Sequence, residues 1–122
     1  MENKQAIKLI EKIQKNLLQN KFDLSETVED LKKVREISLE EKNPTVTKSL
    51  RLAYEHLEKN QAFLIAIPED LEELDQEVTT ETKFASTNDL ESFAYYLALL
   101  TDLSKKNNVL DIKAYNQAFL EF

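Results

Sequence analysis

At 122 residues, 42% hydrophobic and 32% charged, the chain fits one domain with its own core and is neither a membrane protein nor compositionally disordered. Its 23 acids outnumber its 16 bases, and the formal net charge of −7 disfavours nucleic acid and anionic membranes, since phosphate contacts need a basic excess. It has no cysteine and no glycine. The first absence excludes disulfides, thiol catalysis and thiolate metal sites; the second excludes the phosphate-cradling Walker and dinucleotide loops and the hydrolase nucleophile elbow.

Glycine also supplies positive φ in hairpins, so its absence argues against hairpin-rich sheets and for helices joined by asparagine turns. Asn20, Asn43, Asn60 and the pair Asn107-Asn108 fall where helices are expected to end. Residues 2–20 read as an amphipathic helix. Ile7, Ile10, Ile13 and Leu17 recur at helical spacing, Leu9 and Leu18 widen the stripe, and Lys4, Lys8, Lys12 and Lys15 fall on the opposite side. With no Trp or Phe on its apolar side, this face reads as solvated rather than membrane-bound. A second helix is expected over 25–42, capped by Ser25 or Asp23, with Glu26 and Glu29 at its positive end and Val28, Leu31 and Val34 inward. Asn43-Pro44 stops one helix and starts another, because Asn caps and Pro suits the first helical position. The third carries Val46, Leu50, Ala53, Tyr54 and Leu57 and fades near Asn60.

Residues 63–67 form the longest apolar run, far below the ~20 residues of a membrane span, and periodicity leaves strand and helix end both open. Pro68 closes it. Between 69 and 81 stand seven acids (Glu69, Asp70, Glu72, Glu73, Asp75, Glu77, Glu81) and no base, so the whole net charge resides in one stretch. Residues 67–87 read as a long acidic connection, a length that in compact domains is usually functional or mobile. The next helix, 88–106, starts on Asn88 with Glu91 three residues on. Leu90, Phe93, Tyr95, Tyr96, Leu97, Leu99, Leu100 and Leu103 surround nearly its whole circumference, so it is either a buried centre or meets a partner. Lys105-Lys106-Asn107-Asn108 is expected to end it, and Asp111 to cap a last helix carrying Ile112, Tyr115, Ala118, Phe119 and Phe122. One echo runs through the chain: Asn-Gln-Ala-Phe-Leu occurs at 60–64 and again at 116–120, without matching flanks.

The expected fold is all-α, a bundle of about five helices in a single domain: a three-helix unit over 1–66, the acidic connection, and a helical hairpin over 88–122. No cofactor, metal or catalytic site is expected. His56, the sole histidine, reads as a solvated surface residue off the apolar face of its helix, and the Glu-x-x-His pattern of di-iron bundles is absent because residue 53 is alanine. The acidic stretch lacks the Asp/Asn ladder and loop glycine of a calcium-binding hand. The aromatic residues Phe93, Tyr95 and Tyr96 could line a pocket, although at helical spacing such residues more often form core. The functional expectation is a non-enzymatic protein–protein interaction module. A basic protein partner would meet Glu69, Asp70, Glu72, Glu73, Asp75 and Glu77, and an apolar partner or a second copy would meet Phe93, Tyr95, Tyr96 and Leu100. A symmetric homodimer through the 88–106 helix, Phe119 and Phe122 is expected on that ground. The rivals are an acidic inhibitor or immunity-type protein that occupies a basic site on its target, and an enzyme using carboxylates alone. With no leader-like N-terminal core, a cytoplasmic location is expected.

Overall fold

Asparagine and aspartate side chains start four of the five helices. The computed structural model describes residues 3–19, 22–67 and 88–122. The helices are α1 (Lys4–Leu18), α2 (Leu24–Glu40), α3 (Pro44–Asn60), α4 (Leu90–Thr101) and α5 (Lys106–Glu121), with no strand among the described residues. Asn3 accepts from the amides of Gln5 and Ala6, Asp23 from Glu26, Asn43 from Val46 and Asp89 from Ser92. Each bond satisfies a first-turn donor that the helix itself cannot. Pro44 sits in the first turn of α3, where its missing N–H costs nothing.

Among the described residues, to which Asn20 does not belong, the asparagines do not supply the left-handed turns. Those fall on Lys42, with φ 56°, and Gln61, with φ 59°. Asn43 caps the start of α3, and Asn107 and Asn108 lie inside the first turn of α5. The expected boundary between the last two helices is therefore corrected. α4 stops at Thr101 rather than 106, and the lysine–asparagine run begins α5 instead of ending its predecessor. Lys105 occupies the α5 cap position without a side-chain hydrogen bond to the first turn. Asn88 does not cap α4: its Oδ1 accepts the Phe63 N–H at 2.8 Å, while the Asp89 N–H donates to the Phe63 carbonyl.

The helices close a circuit in the order α1–α2–α3–α5–α4 and back to α1, each packed on two neighbours. One hydrophobic cluster fills it, with Ile10, Ile13, Leu31, Val34, Leu50, Leu57, Leu97, Leu100 and Ile112 drawn from all five helices. The non-helical run 61–67 enters the same core through Phe63 and Ile65. Phe63 stacks on Phe93 at 4.9 Å and meets the edge of Phe119 at 5.9 Å. The two copies of the pentapeptide thus have different conformations, one ending a helix and one within α5, and their phenylalanines touch.

Two buried hydroxyl pairs fix how the helices lie against one another. Ser49 on α3 meets the Tyr96 hydroxyl at 2.8 Å, and Ser92 on α4 meets the Tyr115 hydroxyl at 2.8 Å. Burial pushes both phenols well above their ordinary acidity range, so they stay neutral. No described helix is long and apolar enough to cross a membrane.

Candidate functional site

The expected contact residues separate into three groups. Glu69, Asp70, Glu72, Glu73, Asp75 and Glu77 lie outside the described residues. Phe93, Tyr96 and Leu100 are fully buried within this chain. That corrects their assignment to a partner contact, since a side chain with no accessible surface cannot meet another molecule in this conformation. Tyr95 alone is half-exposed. Its hydroxyl donates to Asp111 Oδ2 at 2.6 Å, and that bond, with some burial, raises its pKa to about 12. Asp111 is thus not a helix cap but the α5 anchor of Tyr95. The basis for a homodimer through α4 goes with the same finding, because its neighbours cover the apolar circumference and leave only Glu91 and Ala98 exposed.

His56 is not a surface residue either; it is 6% exposed. Its face of α3, with Ser49 and Ala53, is buried, Ser49 against Tyr96 of α4 and His56 against Phe63 and against Phe119 of α5. The ring lies 5.8 Å from Phe63, 5.4 Å from Phe119 and 4.9 Å from Phe122. Nε2 accepts the Leu64 N–H at 3.0 Å, and Asn60 Nδ2 donates to the His56 carbonyl at 3.0 Å. Burial, aided by the positive charge of Lys59, pushes the imidazole from its ordinary 6.5 down to about 4.

The described surface carries a charge pattern that whole-chain arithmetic hid. Outside 69–81 acids and bases balance, yet the helices do not share them evenly. On α2, Glu26, Glu29, Lys33, Glu36 and Glu40 are exposed at spacings of three and four, which sets four acids and one base along one line. On α1, Lys4, Lys8, Glu11 and Lys15 form the corresponding exposed line with the opposite sign. Lys12 joins the two helices. Its Nζ lies 2.9 Å from Glu26 and 3.2 Å from Asp30, whose side chain is only 4% exposed. These bonds, that to Glu26 first, raise the Lys12 pKa. The contact to Asp30 Oδ2 is an ion pair without hydrogen-bond alignment. The glutamate spacing was available in the sequence, and only the dominance of 69–81 obscured it.

Among the described residues no group of histidine and carboxylate side chains is placed to hold a metal ion. The buried hydroxyls of Ser49, Ser92, Tyr96 and Tyr115 are engaged with one another inside the core. No protein-family model matches the chain, and neither a curated protein nor a solved structure does.

Proposed function

We propose that this chain is a non-enzymatic interaction module that binds a basic protein partner through its acidic residues: the exposed α2 line of Glu26, Glu29, Glu36 and Glu40, and the seven acids of the sequence 69–81. The observation that carries this reading is the segregation of exposed charge: with Glu26 paired to Lys12 and Lys33 standing in the line, Glu29, Glu36 and Glu40 leave an acidic excess along α2, opposite in sign to the α1 line. Such a field mainly accelerates encounter and selects a partner of opposite sign. It weakens as salt shortens the screening length to ~8–10 Å near physiological strength.

The test compares three forms of the protein: wild type, Glu29→Gln/Glu36→Gln/Glu40→Gln, and Glu72→Gln/Glu73→Gln/Asp75→Asn/Glu77→Gln. After the partner is isolated by affinity purification and cross-linking in the native cell, its association rate with each form is measured at low and high salt. Slower association with a flatter salt dependence, in either variant, supports the reading and shows which surface acts. Unchanged rates and salt slopes in both variants reject it. If the partner is an enzyme or a nuclease, loss of inhibition by the slower variant identifies the chain as an acidic inhibitor rather than an adaptor.

A further inference from the structure

Something other than local sequence stops α3. The residues Asn-Gln-Ala-Phe-Leu that end it at 60–64 are helical at 116–120 inside α5. The stop also uses a left-handed residue, Gln61 at φ 59°, where a side chain bearing a β-carbon is disfavoured. The Gln61 N–H closes the turn on the Leu57 carbonyl at 2.7 Å, and among the described residues three further hydrogen bonds hold Phe63 and Leu64. Two come from across the fold, at Asn88 and Asp89, and both engage Phe63. The third comes from α3 itself, where the Leu64 N–H donates to His56 Nε2 at 3.0 Å. An imidazole nitrogen accepts only when it carries no proton, so this bond requires the neutral ring with its proton on Nδ1; Asn60 Nδ2, 3.3 Å from Nδ1, then bonds only the His56 carbonyl.

We propose that His56 is an acid-released clasp: its neutral imidazole pins the turn at 61–65 to the end of α3, and protonation opens that turn while the helices stay folded. A protonated Nε2 would point a donor at the donor of Leu64, and the bond cannot survive that change. The surroundings decide how readily the change occurs. On α3, Lys59 opposes a second positive charge. Residues 61–67 bring no titratable side chain. From α5 the ring meets Phe119 and Phe122, and the α5 carboxylate in that turn, Glu121, is exposed. Around the ring, burial and Lys59 both favour the neutral form, so the clasp is shut at neutral pH and opens only in acid. The helices have other holds, since α1 and α2 contribute Ile10, Ile13, Leu31 and Val34 to the hydrophobic core.

The experiment is a nuclear magnetic resonance pH titration of the isotope-labelled full chain, wild type and His56→Gln. Glutamine offers Leu64 an amide oxygen that accepts at every pH. In the wild type the His56 ring should titrate well below 6.5, its ordinary value. Below that midpoint the Leu64 amide should leave its native position and exchange freely with solvent, while Ile10 of α1 stays native and protected. The His56→Gln protein should keep Leu64 native through the same range. Carboxylates titrate there too, and their effect is whatever both proteins share. The comparison of Leu64 with Ile10 needs only the wild type, so it stands even if the variant fails to fold. A Leu64 amide that stays native after His56 is protonated overturns the clasp. So does loss of Leu64 and Ile10 together in one unfolding transition, or equal movement of Leu64 in both proteins.

Discussion

His56 shows how a residue's role can depend on a neighbour that the local pattern does not reveal. Read along α3, it falls off the face of Val46, Leu50 and Leu57, and a solvated histidine follows. The helix is covered on two sides, however, by α2 and by α5. Ser49 and Ala53, seven and three residues before His56, mark the second side with small residues that let another helix approach; that spacing was the available signal. The aromatic partners Phe119 and Phe122 come from the far end of the chain, which no local period can report. The consequence is a pH dependence of stability whose sign is fixed. The unfolded ring takes a proton near 6.5 and the folded ring only near 4, so below 6.5 the unfolded chain binds more protons. The stabilisation is complete above 6.5, falls through the interval, and is lost by about 4. At about 1.4 kcal/mol per pH unit the whole effect is bounded at roughly 3 kcal/mol. Urea unfolding at several pH values should show this loss in the wild type, with His56→Gln giving a flatter profile over the same interval. Parallel profiles would mean that the histidine is charged or exposed in the folded state.

At the scale of the helices, the sequence was most legible where a cap and a period agreed. Asp23 before α2 and Asn43-Pro44 before α3 stand where side-chain chemistry requires them. The α4–α5 boundary was misread because positive charge at a helix end is ordinarily favourable, and Lys105-Lys106 was assigned to the end it suits. In the fold those lysines begin α5, where the macrodipole opposes them. Asn108 Nδ2 donates to the Asp102 carbonyl at 2.9 Å, and Lys105 pairs with Asp102, which tie the short link between the two helices. The choice of neighbours was less legible still, because it rests on single atoms such as the Ser49–Tyr96 pair, which no period encodes. A double-mutant cycle tests that pair. Tyr96→Phe alone strands a buried serine hydroxyl and should cost about 1–2 kcal/mol. Adding Ser49→Ala should return part of that cost, because a core without either polar atom leaves nothing unsatisfied. Additive losses in urea unfolding would show that the two hydroxyls do not depend on each other.

For the whole molecule, closure of the helical circuit decides what surface is left for association. A helix as apolar as α4 suggests a partner only if its own chain cannot cover it, and here α1 and α5 do. Among the described residues the large apolar side chains that remain exposed are Leu18 at 83%, Leu39 at 52%, Leu110 at 52%, Leu120 at 58% and Phe122 at 46%. They do not form one patch. Leu18 and Leu39 sit near the ends of α1 and α2, and on α5 Lys113 and Gln117 separate Leu110 from Leu120 along the same line. A stable dimer needs roughly 800 Å² from each subunit with a continuous apolar centre. The net charge of −7 adds repulsion between copies. Sedimentation equilibrium at micromolar concentration should therefore return a single species of 14.2 kDa at both low and high salt. A species of twice that mass would contradict this, and its salt response would identify the contact. A dimer that dissociates in salt would place the α1 lysines against the α2 glutamates of the other copy, because screening removes that attraction. A dimer that tightens in salt would place Leu120 and Phe122 at an apolar contact, since salting-out strengthens burial.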